Sequence, residues 1–439
     1  MALLGLWLGA AIAGPFAMAQ EAPATGQEGL FPGAAALGEA VAQMATRRWI
    51  GPRVDPPDEH ERPSANEHYD AGELRLHGPT LDGYERDAAE EAAAFARYLS
   101  AGGFELPFSD GGRGGSEALD LYLAPLPNMR AAYSDGDVPL SFHDRVSAFA
   151  VVDPVTAGDR LALCAIEAVA RATMLSLVPD EAESWRNAYA SWLTWRYTGQ
   201  FGCSDAEREQ QEEPSRGWIA GAADEGAGGG LYLAMLSDRH SRGTGAFLRS
   251  LLESARQRTW EGNGYRGSPD LWQVLERSLR ISGEKLIDAV QNMAVDRFFG
   301  ASVTEMTPPI FAETRITELP FHSRNEPILE PFGSVYLWAD VRDAPPESRL
   351  RVWLRGEYGV EWGLTAVRLD ERLNRMTELS APPRAGDPRA YVPLELDERV
   401  AYVLVVGTNL SHRLPDADDE VDPNARSLRF IMDVAREGE

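Results

Sequence analysis

The sequence predicts an α+β chain: a mostly helical part with a small sheet, followed by a C-terminal β-sandwich. Three observations lead there. The 439 residues exceed what one ordinary domain holds and suffice for two or three with sizeable cores. From Leu81 to Phe299, long runs carry apolar residues at helical spacing, interrupted by short apolar runs of strand length. After Phe299, short runs rich in β-branched and aromatic residues alternate with turn signals, the pattern of a sandwich.

Residues Ala2 to Ala19 carry no charged side chain, and Leu3, Leu4, Leu6, Trp7, Leu8 and Ile12 form an apolar centre. Ala17-Met18-Ala19 supplies the small-x-small pattern that signal peptidase reads, so 1–19 reads as a signal peptide with Gln20 as the first mature residue. An uncleaved membrane anchor is the other reading, because no Lys or Arg precedes the apolar run. No further uncharged apolar run approaches the ~20 residues that span a bilayer, so no membrane span is expected after signal removal. The expected location is secreted or periplasmic. Residues 20–67 read as an irregular segment with one helix, Ala34 to Trp49, and a Pro-rich linker, Gly51 to Asn66.

Residues 68–300 read as one domain. His68 to Thr80 is a short strand or hairpin, with Leu74 and Leu76 alternating against polar neighbours. Leu81 to Ser100 is an alanine-rich helix with its acidic residues near the N-terminus, where the helix dipole favours them, and Gly102-Gly103 stops it. Leu119 to Leu123 alternates like a strand, and Ala148 to Val152 is an apolar run of buried-strand length. Helices follow at Gly158 to Leu177 and Glu181 to Tyr197, then a loop with Cys203 and an acidic stretch from Asp205 to Glu213. Further helices are expected at Leu231 to Arg239, Ala246 to Arg258, Ser268 to Leu279 and Ser282 to Phe299. The run Gly226-Ala227-Gly228-Gly229-Gly230 lacks the Lys and Ser/Thr of a phosphate loop and reads as a flexible turn. Pro308-Pro309 marks the change of texture. Strands are then expected at Ser334 to Val341, Leu350 to Leu354, Gly363 to Leu369, Tyr391 to Leu396, Ala401 to Gly407 and Leu428 to Val434, which makes 301–439 the sandwich.

The formal net charge of −26 argues against nucleic acid, which needs a basic footprint, and against an anionic membrane surface. Its plain consequence is solubility. The two cysteines, Cys164 and Cys203, form a disulfide in an oxidising compartment or remain two thiols; both readings stay open. Asp416, Asp418 and Asp422 suggest calcium, but their run lacks the glycine and ligand spacing of an EF-hand, and a solvated surface loop is the simpler reading. Asn409-Leu410-Ser411 fits a glycosylation acceptor.

The order Ala88 to Ser100, Gly102-Gly103, Leu119-Asp120-Leu121-Tyr122-Leu123, Phe149-Ala150-Val151-Val152-Asp153 and then two helices resembles the catalytic core of thermolysin-like (gluzincin) metallopeptidases. The resemblance is to secreted bacterial ones that carry a C-terminal β-domain, and it covers roughly 68 to 300 plus that β-domain. In that family the two helices bear H-E-x-x-H and E-x-x-A-x-W. Two His at i and i+4 share a helix face and both reach one zinc ion; the Glu between them polarises the metal-bound water, and a carboxylate of the next helix completes the ligands. The resemblance lays Ile166-Glu167-Ala168-Val169-Ala170 on the first motif and Asn187-Ala188-Tyr189-Ala190-Ser191-Trp192 on the second. It implies that Ile166, Ala170 and Asn187 occupy the ligand positions, where none suits zinc, and that only Glu167 survives, at the general-base position. The spacing from Ala170 to Asn187 is shorter than the family's. The resulting expectation is a metallopeptidase-like chain without zinc or peptidase activity, kept for binding or scaffolding toward an unidentified protein, peptide or glycan.

The remaining residues offer no substitute site. His60, His68, His77, His143, His240, His322 and His412 include no pair at i,i+3 or i,i+4, and each reads as a surface group. No G-x-S-x-G occurs, and Gly114-Gly115-Ser116-Glu117 reads as a loop. Taken alone, Glu167 reads as a helix carboxylate paired with Arg171 at i+4. Two rival functions stay in view. One is an exported cell-surface protein whose β-domain recognises a glycan or protein; the other is a hydrolase of unrecognised chemistry.

Overall fold

The hairpin comes first. Strands β1 (Glu67–Ala71) and β2 (Leu74–Gly78) pair antiparallel around Gly72, whose φ of 76° suits the tight turn. This is a computed structural model, and it describes residues 62–127, 131–139, 146–179, 181–217, 228–256, 260–261, 264–265, 269–299, 315–316, 318–323, 328–345, 347–358, 360–381, 387–410 and 426–436. The signal peptide, the helix at 34–49, Pro308-Pro309 and the aspartates Asp416, Asp418 and Asp422 lie outside the described residues, as do His60, His143 and His412.

Asp82 caps the first helix, α1 (Gly83–Ala101). Its carboxylate accepts from Tyr84 N–H and Glu85 N–H, while Glu85 reaches back to the Asp82 N–H at 2.7 Å, a complete capping box. The alanine face of α1 lies against a five-stranded sheet in the order β1-β2-β3-β5-β4, with β3 at Leu119–Leu123, β4 at Ala132–Pro139 and β5 at Val146–Val152. β2, β3 and β5 run parallel, and β4 closes the edge antiparallel to β5. β3 and β5 are buried on both faces, which is why they read as continuous apolar runs. Leu121, Ala150 and Val152 turn toward the helices, and Tyr122, Phe149 and Val151 form a small apolar cluster on the opposite face.

Asp153 caps the four-residue α2 (Pro154–Ala157), and Gly158, at φ 52°, ends it. The main helix therefore starts at Leu161 rather than Gly158. That helix, α3 (Leu161–Leu177), crosses β4 and β5 and packs on α1 and on α4 (Glu183–Thr198). The stretch expected as an acidic loop is instead helix α5 (Ala206–Glu212). It turns Glu207, Gln210 and Gln211 inward and leaves Arg208, Glu209 and Glu212 exposed. α6 (Gly230–Ser241), α7 (Ala246–Ala255), the two-residue strands β6 (Trp260–Glu261) and β7 (Gly264–Tyr265), α8 (Leu271–Ile281) and α9 (Leu286–Phe298) complete the helical part.

The C-terminal part is a sandwich of two sheets. One has the order β10-β17-β12-β15, with β9 beside β17; the other has the order β14-β13-β16-β11-β8. Their ranges are β8 Arg315–Ile316, β9 Phe321–His322, β10 Ile328–Leu329, β11 Ser334–Asp340, β12 Ser348–Gly356, β13 Trp362–Leu369, β14 Arg375–Ala381, β15 Arg389–Glu395, β16 Tyr402–Asn409 and β17 Arg426–Arg436. Leu350, Val352 and Leu354 meet Leu364, Ala366, Val403 and Val405 between the sheets. Each such Leu or Val side chain contributes about 1.5–3 kcal/mol by leaving water. The outer face of the second sheet is covered too: α9 lays Ala294 and Val295 on Tyr336, Val367, Leu369, Leu404 and Val406. Among the described residues no helix is long and apolar enough to cross a membrane.

Candidate functional site

α3 and α4 lie side by side, and a polar cluster is buried between them. Its centre is Arg171. The Nε donates to Glu167 Oε1 at 2.9 Å, and Nη1 donates to Asn187 Oδ1 at 2.9 Å. One guanidinium thus joins the carboxylate of α3 to the amide of α4. Glu167 is 2% exposed and Asn187 4%. The other Glu167 oxygen, Oε2, accepts from the Cys203 N–H at 2.7 Å. Both oxygens of the carboxylate are therefore engaged.

The loop that delivers this N–H is tied down. Cys164 and Cys203 form a disulfide, with Cα atoms 5.0 Å apart and a sequence separation of 39. Cys164 lies just under one turn before Glu167, so the bond holds the loop over the carboxylate. Gly202 is required there: a Cβ would lie 2.6 Å from Glu167 Oε2.

Ile166 and Ala170 sit about 100° back round the helix. They are buried in the apolar core of the helical part. The stripe of α3 that meets Asn187 runs through Glu167 and Arg171, one residue on from the register the resemblance suggests. The pairing of Glu167 with Arg171 read from their spacing is present, at 2.8 Å between Arg171 Nη2 and Glu167 Oε1.

A second carboxylate enters from α5. Glu207 is 3% exposed and hydrogen-bonded to the Ser191 hydroxyl of α4. Burial pushes its pKa up to about 8, against the Ser191 hydrogen bond; the nearby Glu167 charge pushes the same way. Ser191 Oγ has one hydrogen and two acceptors in reach, Glu207 Oε1 and the Phe201 carbonyl, the latter at 2.7 Å. The end of the glycine run closes this side. A Cβ on Gly230 would lie 2.5 Å from Ser191 Oγ, and one on Gly228 would lie 2.7 Å from Gln210 Cβ. These glycines are packing requirements at the start of α6, not a flexible turn.

The inner face of α5 also meets Arg297 of α9, which is fully buried. Its Nη1 donates to Tyr232 Oη at 2.8 Å, its Nε to Gln211 Oε1 and its Nη2 to the Gln210 carbonyl. Its partners among the described residues are all neutral.

A third cluster lies on the other face of the five-stranded sheet. His77 of β2, expected at the surface, is 7% exposed because the parallel register sets it beside Tyr122. Its ring stacks on Tyr122 at 4.5 Å, and its Nε2 is 2.8 Å from Asp120 Oδ1. Arg62 reaches the other Asp120 oxygen at 2.5 Å and also Asp110. Burial alone would raise the Asp120 carboxyl, but the hydrogen bonds from His77 and Arg62 outweigh it and hold the pKa below the ordinary value. His240 is likewise half-buried, stacked on Phe247 at 4.6 Å with Glu284 3.4 Å away. His68 and His322 are exposed as expected.

Sequence reasoning missed Glu207, Ser191 and Arg297. Each is polar, and its burial depends on elements distant in sequence. The one local signal was the glycine pattern around them.

No protein-family model matches the chain, and no curated protein matches it. Among solved structures, the CBM22-1 xylan-binding domain from Paenibacillus barcinonensis Xyn10C is 10% identical over 23% of this chain and 64% of its own, with a TM-score of 0.15. The enzymatically active domain of tailspike protein 4 from bacteriophage CBA120 is 9% identical over 27% of this chain, with a TM-score of 0.18; the chain spans 17% of that structure's length. Overlap at this level does not define a shared fold.

Proposed function

We propose that the chain is an exported, metallopeptidase-like protein that binds rather than cleaves. One observation carries the reading: Arg171 sits between Glu167 and Asn187, on two adjacent helices beside a small sheet, where the resemblance calls for the general base and the third zinc ligand. A fixed positive charge there opposes a divalent cation. The carboxylate it holds has both oxygens engaged, and an amide is a poor third ligand. This donor set does not suit zinc, and no catalytic step is assigned to it. Export is supported by the signal-like start and by the Cys164–Cys203 disulfide, a bond that persists in oxidising compartments.

Elemental analysis of purified protein tests the reading: the expected result is no stoichiometric zinc and no casein hydrolysis. Zinc at one equivalent with activity would sink it. A restoration experiment tests the register. Glu167→His, Arg171→His and Asn187→Glu together should create a zinc site measurable by calorimetry, because they place two imidazoles and a carboxylate on the stripe that now converges. Ile166→His and Ala170→His with Asn187→Glu should not. Zinc bound by the second set alone would return the register to Ile166 and Ala170.

A further inference from the structure

One sheet of the sandwich turns its outer face to α9, but no described helix packs across the outer face of the β10-β17-β12-β15 sheet. Strand alternation sends Arg349, Arg351, Trp353 and Arg355 of β12 outward while Leu350, Val352 and Leu354 fill the core. On β15 it exposes Arg389, Tyr391 and Glu395 and buries Ala390, Val392 and Leu394. The ladder then lays two rows across the face. Tyr391, Trp353 and Ile431 form one; Arg389 and Arg355 form the next, with Arg429 the ladder partner of Arg355 on β17.

The first row is apolar and open. Tyr391 is 43% exposed and Ile431 38%, and the Trp353 ring lies 5.1 Å from the Tyr391 ring. Arg351 stands 5.5 Å from the Trp353 ring centroid, and the exposed Tyr358 lies within electrostatic reach of Arg389.

The second row is anomalous for this chain. Like charges directly opposite each other on a sheet are destabilising. With 68 acidic residues against 42 basic, a carboxylate at 355 would have been the common choice and would have relieved the repulsion. Arg389 has Asp387 at 3.0 Å, but Arg355 makes no ion pair among the described residues. A cationic row beside an aromatic row is completed by a ligand that combines carboxylates with flat apolar faces. Guanidinium forks take carboxylates through paired hydrogen bonds, and aromatic rings take the C–H faces of sugars.

We propose that this face binds an acidic polysaccharide of the uronic-acid type. The patch spans three strands and, from Arg351 to Arg355, four residue steps, about 10 Å by about 14 Å, the footprint of a short oligosaccharide. The net charge of −26 does not forbid it, because exposed charges beyond ~8–10 Å are screened at physiological salt. That charge does oppose a long polyanion such as nucleic acid, which reaches past the patch. The proposal rests on reading the chain as a binding protein, yet nothing in its test passes through α3 or α4.

The test is calorimetric titration of the full chain with oligogalacturonate at physiological salt, with dextran, dextran sulfate and polyglutamate as comparators. The expected result is binding to oligogalacturonate, weakened at least tenfold by Arg355→Glu and by Tyr391→Ala, both at exposed positions, with a cooperative melting transition retained in each variant. Dextran and polyglutamate should bind at least tenfold more weakly. No binding to oligogalacturonate, binding indifferent to both substitutions, or equal binding of polyglutamate or dextran sulfate would overturn the proposal. If it fails while the protein still carries no zinc, only the ligand is lost; if zinc and casein hydrolysis appear, the reading beneath it is lost.

Discussion

Two arginines, the partly buried Arg171 and the fully buried Arg297, lie on either side of the cluster that α5 joins, and the protein treats them differently. Arg171 has a carboxylate, Glu167, and a neutral amide, Asn187. Arg297 has a side-chain amide, a backbone carbonyl and a phenol. A guanidinium cannot shed its proton in a protein, so a buried arginine without a counter-ion must be held by hydrogen bonds and by the ring of Tyr232, 5.5 Å from its centre. A carboxylate has an escape that arginine lacks. Glu207, the third ionisable group of the Arg171 cluster, takes it and stays protonated up to about pH 8. The contrast teaches that buried charge here is limited by which groups can neutralise themselves.

Removing the partner on each side sharpens this contrast. Arg171→Leu leaves Glu167 buried without a counter-ion, which should cost about 3–5 kcal/mol in urea unfolding. Arg297→Leu removes a charge that has no counter-ion among the described residues and strands neutral acceptors, so about 1–3 kcal/mol is expected. Equal losses would show that the two clusters are not distinguished by charge pairing. Between these lies the disulfide. Cys164→Ala with Cys203→Ala should cost about 2–4 kcal/mol and should release the Cys203 N–H from Glu167, visible as faster amide exchange at that position.

The remaining effect is the one with a pH signature. Glu207 holds its proton to about pH 8 when folded but only to the ordinary 4.5 when unfolded, so folding takes up a proton between those values. The stability this gives is fully present below about pH 4.5 and is lost as pH rises to about 8. Glu207→Gln, which keeps a neutral hydrogen-bonding group, should match the parent near pH 4.5 and exceed it near pH 9. Parallel melting curves across that range would show that Glu207 is charged in the folded chain.

Apolar pattern made much of the architecture legible. The pattern places β3 to the residue, and seven helices and most sandwich strands within a few residues, because their buried faces are hydrophobic. Where the pattern carries no such contrast, the reading failed. β14 is exposed along nearly its whole length, and β4 contains Asp135, Gly136, Asp137 and Pro139, tolerated because it is an edge strand. Helix α5 was invisible for a related reason: its buried face is Glu207, Gln210 and Gln211, a helical period written in polar residues. The same polarity hid most of the α3–α4 cluster. The i,i+4 spacing showed Glu167 with Arg171, but the reach of Arg171 to Asn187 depends on how two helices pack.

Helix α9 belongs to both halves at once. Gln291 donates to Thr365 of the sandwich at 2.8 Å, Ala294 and Val295 lie on its sheet, and Arg297 is seated among the residues of α5 and α6. A gene fragment beginning at residue 301 would therefore leave Val367, Leu369, Leu404 and Val406 bare, an apolar strip that invites aggregation. Anyone wishing to express the sandwich alone should carry α9 with it and replace Arg297, whose hydrogen-bonding partners would stay behind.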